Sequence, residues 1–292
     1  MAELSNEDLY EAVKTSNIDE CIDLIKKYHE TPDRYSFLNM DIALIVSIPT
    51  LDVNVISLLL NNQASVKYTD KFGRRAIHVA AATGNQDVLK LILKAGSPVN
   101  VADAEGKTPL HLACETGCDE MVELLLSAGA NINRSQTYRM KEYPVHIAAK
   151  KGYTKILETL RLHGANFEAQ ATLQRTPLHY AILHKQYTTV NYLCSVGVNM
   201  NAADEHGETA LFLALSNGLM QMTRHLLQLG VCGSVLTSTG RSVLHYVPSL
   251  MTKSLDDHSH DDTYEALVKS GVACINSVSD NGAPLHTAVN AR

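Results

Sequence analysis

The sequence predicts an all-α solenoid: one array of about eight to nine stacked helix-turn-helix units joined by short hairpin turns. Three observations predict it. Marker residues recur at a fixed distance of 33, so that Gly106 follows Gly73, His111 follows His78, Gly117 follows Gly84 and Gly129 follows Gly96. Each period holds two short apolar runs parted by a glycine. Two helices of that size cannot bury their apolar sides alone, so neighbouring units must stack on them.

The stretch from Ala104 to Gln136 shows the unit at its clearest, AEGKTPLHLACETGCDEMVELLLSAGANINRSQ. Gly106 suits a tight turn that needs positive φ. Thr108 can cap a helix, and Pro109 then takes the first turn, where a missing N–H is harmless. Leu110, Leu112, Ala113 and Cys114 give a short apolar helix, and Gly117 closes it. Met121, Val122, Leu124, Leu125 and Leu126 make the second helix apolar over a wide face.

A 33-residue period carrying T-P-L-H-x-A resembles the ankyrin repeat. The resemblance is strong over residues 71–230 and weaker at both ends. It implies the stacked fold, a protein-binding role, no catalysis and no cofactor.

Taken in order, residues 1–70 read as divergent repeats. Ser5 can cap the first helix, with Leu9, Ala12 and Val13 on its inner side and Ser16 where a closing glycine is expected. In the second repeat Leu44 leads the first helix, Pro49 and Thr50 replace the closing turn, and Val55 to Leu60 fill the second helix. Residues 71–238 are consensus-like. His146 lies 35 after His111, which places two added residues in the turn near Thr137 to Lys141. Lys185 stands for a closing glycine in the sixth repeat, and Phe212 for the histidine in the seventh. Residues 239–280 form a repeat with an inserted polar loop around Ser254 to Asp262, and residues 281–292 a partial repeat. That partial repeat leads us to expect further chain or a covering partner beyond Arg292.

Composition narrows the function. A formal net charge of −6 disfavours general binding to nucleic acid or an anionic membrane surface. No apolar run reaches the length of a membrane span, and the acidic start MAELSNEDLYEAV has no apolar signal region. The scattered cysteines Cys21, Cys114, Cys118, Cys194, Cys232 and Cys274 read as reduced core residues, so an intracellular protein, cytoplasmic or nuclear, is expected.

The histidines His78, His111, His146, His179, His245 and His286 sit at one repeat position each, whereas a metal site needs ligands that converge. By the resemblance they bond to neighbouring backbone. Cys114 and Cys118 lack two more zinc ligands nearby. Asp256, Asp257, His258, His260, Asp261 and Asp262 are dense in ligands but read as a solvated loop. No metal site is assigned. Asn133 and Asn201 match the turn asparagine that is hydroxylated in some ankyrin repeats, with Leu125 and Leu193 eight residues before them; stabilisation of the turn is the favoured reading of both.

The function expected is a scaffold or adaptor, a monomer that holds a partner protein on the concave surface. The candidate contacts are Lys71, Phe72, Arg74, Lys107, Arg139, Met140, Lys150, Lys151, Leu173, Arg175, Leu183 and His184. The set is basic with apolar members, which suits an acidic, partly hydrophobic segment. Two other readings compete. One is a substrate-recognition subunit of a ubiquitin ligase whose C-terminal box is absent from this chain. The other is a metal-dependent or redox enzyme, for which no nucleophile elbow, phosphate loop or H-E-x-x-H appears.

Overall fold

The computed structural model describes residues 6–30, 39–136, 140–231 and 237–239. Among the described residues every regular element is helical. The chain divides into two units, Met1–Arg139 and Met140–Arg292. The first holds the pairs α1 (Asn6–Lys14) and α2 (Ile18–Glu30), α3 (Met40–Ser47) and α4 (Val53–Asn61), α5 (Ala76–Thr83) and α6 (Gln86–Lys94), and α7 (Pro109–Thr116) and α8 (Asp119–Ser127). The second holds α9 (Pro144–Lys151) and α10 (Thr154–Leu162), α11 (Pro177–Leu183) and α12 (Tyr187–Ser195), and α13 (Ala210–Ser216) and α14 (Met220–Gln228).

Local chemistry sets these helices. Pro109, Pro144 and Pro177 open α7, α9 and α11 at the position where the missing donor costs nothing. Gly84, Gly117 and Gly152 close α5, α7 and α9 in the left-handed region, at φ 74°, 82° and 81°. Where the closing glycine is missing the backbone keeps the same turn: Ser16 has φ 54° and Lys185 φ 58°. After α3 a 3₁₀ turn, Ile48–Thr50, carries the chain to Leu51 at φ 61°. Pro49 and Thr50 therefore do build a different closing turn. The second helices begin on side-chain caps where the sequence has them. Asp52 accepts from Asn54 N at 2.9 Å, and Asn85 from Asp87 N at 3.0 Å.

Stacking supplies the core. In the first unit α1, α3, α5 and α7 pack in succession, as do α2, α4, α6 and α8. Leu9, Leu44, Ile56, Ile77, Leu89 and Leu125 are buried between them. Ala12 and Val13 lie inward too, as the pattern of the first repeat requires. In the second unit α9, α11 and α13 form one row and α10 and α12 the other, over Leu157, Ile182, Leu193 and Phe212.

Hairpin turns are bonded to one another within each unit. Ala104 N donates to Phe72 O at 3.0 Å, Thr172 N to Met140 O at 3.2 Å, Glu205 N to Leu173 O at 2.9 Å, and Ser238 N to His206 O at 3.2 Å. The turns approach so closely that a Cβ on Gly73 would lie 2.5 Å from Ala104 N. Thus glycine is needed there for space as well as for φ.

Several expectations lie outside the described residues. These are the Ser5 cap, residues 137–139 of the lengthened turn, Cys232, and everything from Gly240 on, including His245, His286, Cys274 and the loop 254–262.

Candidate functional site

The repeated histidines come first, because they fix the turns that carry the candidate contacts. His78, His111, His146 and His179 are buried. Each Nδ1 accepts a backbone N–H three residues earlier: Arg75 at 3.0 Å, Thr108 at 3.1 Å, Tyr143 at 3.3 Å and Thr176 at 3.0 Å. That bond puts the ring proton on Nε2. In His146 it reaches Arg175 O at 3.0 Å, in the next turn. Burial holds His146 and His179 at about 4, so both rings are neutral near pH 7. They are clasps between helix and turn. Phe212 cannot do this, and Thr209 Oγ1 is buried with no hydrogen-bond partner among the described residues.

In the first unit the candidate contacts surround the tip before α5. Phe72 is 53% exposed, with Lys71 Nζ 5.1 Å and Arg74 Cζ 4.9 Å from its ring centroid. Asp70 builds this tip. Its carboxylate accepts from Phe72 N at 2.9 Å, Arg74 N at 2.8 Å and Arg74 Nε at 2.9 Å. Burial alone would raise the Asp70 carboxyl, but these bonds and the Arg74 charge hold it below the usual carboxylate range. In the following turn Lys107 reaches Glu115 at 2.9 Å and Glu105 at 3.2 Å.

In the second unit Met140 is 49% exposed beside Lys141, whose φ is 44°. Lys150 lies 3.3 Å from the buried Glu142. Burial, then the Glu142 charge, pushes the Tyr180 hydroxyl up to about 12. Lys151 and His184 are exposed. Partial burial, then the Lys150 charge, lowers His184 from its ordinary value. Arg175 Nε pairs with Asp204 Oδ2 at 3.2 Å, and the Asp204 side chain has no exposed surface. Leu173 and Leu183 are half-buried rather than exposed, and Leu173 sits at φ 60°. Arg139 lies outside the described residues.

The structure thus sorts the candidate set. Arg74, Lys107, Lys150 and Arg175 are held in ion pairs that shape turns and helix faces. Lys71, Phe72, Met140, Lys151 and His184 face outward. The reading from sequence passed over other exposed apolar side chains, among them Leu51 at 42% and Leu162 at 83%. The signal was present. Leu51 stands at a closing-glycine position, one residue before the Asp52 cap. Leu162 ends α10 where α6 ends in Lys94 and α8 in Ser127.

No group of three or more His, Cys, Asp or Glu side chains among the described residues is placed to hold a metal ion. Cys114 is buried and Cys118 half-buried. No described helix is long and apolar enough to cross a membrane.

The family model described as ankyrin repeats (3 copies) matches residues 44–136 and 133–204, together more than half of the chain. The chain belongs to the ankyrin-repeat family. Ankyrin repeats bind protein partners, and the family is generally one of non-enzymatic scaffolds. Ankyrin repeat protein T5 of rabbit fibroma virus (strain Kasza) is 27% identical over 103 residues, 35% of this chain and 21% of that protein. Ankyrin repeat domain-containing protein M-T5 of myxoma virus (strain Lausanne) is 28% identical over 105 residues, 35% of this chain and 22% of its own. Nuclear factor NF-kappa-B p105 subunit of Gallus gallus is 35% identical over 78 residues, 26% of this chain and 8% of its own. The matched stretches cover about a fifth of the two viral relatives and less of the third.

Proposed function

We propose that this ankyrin-repeat chain is a scaffold or adaptor that holds a segment of a partner protein on its first helices and hairpin tips. Phe72 carries the reading. A large aromatic ring lies more than half exposed at a turn position that Glu105 and His206 hold in two other repeats and the half-buried Leu173 in another. It gives the core little, and it is held in place by the Asp70 bonds around it. Met140, at the same position in another turn, repeats the pattern.

The partner segment is hydrophobic first and acidic second. Four of the basic candidates already answer carboxylates of this chain, so Lys71 and Lys151 supply the outward charge, while His184, lowered by burial and the Lys150 charge, is a neutral polar contact. Exposed charges speed approach, while buried anchors supply most affinity.

Affinity capture from cell lysate with mass spectrometry identifies binders. Their affinity is then measured for Phe72→Ala plus Leu173→Ala and for Lys26→Ala plus Lys27→Ala on α2. The first variant weakens binding at least tenfold and the second does not. Equal affinity for both folded variants places the site elsewhere.

A further inference from the structure

The first-helix face of the unit Met1–Arg139 changes character from repeat to repeat. In α1 it carries Glu11 and Lys14, 3.8 Å apart. Beside α7 it carries the Lys107–Glu115 pair. The positions of Glu11 and Lys14 hold Val46 and Pro49 in the second repeat, with Leu51 beyond them, and Val79 and Ala82 in the third, whereas the position of Lys107 is held by Asp41 and Arg74. The 3₁₀ turn Ile48–Thr50 packs on α5, as does α3, so Val46, Pro49, Leu51, Val79 and Ala82 form one uncharged patch between two charged ends.

Leu51 is the odd member. It occupies the closing position that Gly84 and Gly117 hold in the next two repeats. A bulky residue is disfavoured at φ 61°, and a leucine 42% exposed adds only part of its side chain to the core. The fold therefore gains little from leucine here, and a covering surface would gain much. At the other end of α5 stand Lys71 and Phe72, both exposed. They lie in the hairpin turn that leads into α5, four and five residues before it begins, while Leu51 follows the 3₁₀ turn that packs on α5.

We propose that this patch receives one segment of a partner protein that lays an aliphatic side chain on Leu51 and sets a carboxylate at Lys71, in the hairpin turn before α5. The proposal rests on the partner-binding reading above and adds where the apolar end of the segment sits. Charge decides the chemistry. Val46, Pro49, Leu51, Val79 and Ala82 carry no charge, and the carboxylate of the neighbouring Asp52 is turned to the α4 amides of Asn54 and Val55, so an aliphatic group on Leu51 meets an apolar surface. At the tip the Asp70 carboxylate is taken up by Arg74, while Lys67 and Lys71 remain exposed. A basic segment would be repelled and an acidic one drawn in.

Random decapeptides displayed on phage test this against the full chain. Those selected are resynthesised and measured on wild type, Leu51→Asn, Lys71→Glu, and Phe72→Ala plus Leu173→Ala. Asn tolerates the left-handed region, so Leu51→Asn keeps the melting temperature within a few degrees. The selected peptides carry an acidic residue spaced from an aliphatic one, and lose at least tenfold in affinity on Leu51→Asn and on Lys71→Glu. Peptides that bind Leu51→Asn as wild type but fail on Phe72→Ala plus Leu173→Ala overturn this proposal and leave the broader reading standing. A selection that enriches nothing overturns both. A wild-type dimer in sedimentation that Leu51→Asn turns into a monomer makes a second copy the occupant, and also overturns it.

Discussion

His146 Nε2 donates to Arg175 O at 3.0 Å, a bond that crosses 29 residues and ties α9 to the turn before α11. Its other ring nitrogen accepts from Tyr143 N. One neutral ring therefore serves two turns, and a proton on Nδ1 would break one of the bonds.

The stability of the protein should fall with acid. His146 and His179 sit at about 4 when folded, chiefly through burial, against about 6.5 in an unfolded chain. Between those values the unfolded chain binds protons that the folded chain refuses, so the loss begins near pH 6.5 and levels out below about 4. Above pH 6.5 the stabilisation is complete. Each histidine contributes a slope of up to about 1.4 kcal/mol per pH unit, so the two together cost a few kcal/mol over the window. Melting temperatures measured from pH 7.5 to pH 4.5 check this, with His146→Asn showing a shallower slope. A flat profile from pH 7 to pH 5 would sink the claim.

Period and residue type made most of this legible before any coordinates. The histidines read as clasps because they recur at one position, and the closing glycines because they end each first helix. Side-chain burial was not legible. Leu173 looked like an exposed anchor because a hairpin tip is usually open, yet it folds into partial cover at φ 60°. Arg175 looked like a contact because Asp204 lies 29 residues away, and only the stacked turns bring them to 3.2 Å. Leu51 was missed because Pro49 and Thr50 hid the register of its turn.

Leu125→Ala should be severe. The side chain is wholly buried in α8, which packs on α6 and α7. A large-to-small change in such a core costs about 2–5 kcal/mol. Urea unfolding at neutral pH measures it, and a loss below about 1 kcal/mol contradicts the stacking of α8.

Arg175 and Lys151 should part company. Asp204 accepts from His206 N at 2.9 Å, Glu208 N at 3.1 Å and Arg175 Nε at 3.2 Å, with its side chain fully covered. Arg175→Met removes a bond to a buried charge and should cost about 1.5–3 kcal/mol. Lys151 is exposed, so Lys151→Met should change stability by less than about 0.5 kcal/mol. Equal unfolding midpoints for the two variants would mean that Arg175 does not brace its turn.

Gly73 and Gln174 occupy the same place in their turns, five residues before His78 and His179, and both are left-handed, at φ 74° and 55°. They should respond in opposite ways to exchange. A methyl on Gly73 meets Ala104 N at 2.5 Å and Asp103 C at 3.1 Å, and both are backbone atoms that cannot swing aside. The added strain of a left-handed alanine comes on top of that clash. Gly73→Ala should therefore cost at least about 1–3 kcal/mol and disturb the Ala104–Phe72 bond that holds the tip. Gln174→Gly removes a side chain from a conformation that glycine adopts readily. Relief of that strain, about 1–2 kcal/mol, is offset by the extra freedom glycine gives the unfolded chain, about 0.4–1 kcal/mol. The net change should lie between zero and a gain of about 1 kcal/mol. Chemical unfolding of both variants beside wild type decides it. A harmless Gly73→Ala would mean that the turns before α5 and α7 do not approach as described, and a destabilising Gln174→Gly would mean that the glutamine side chain itself braces its turn.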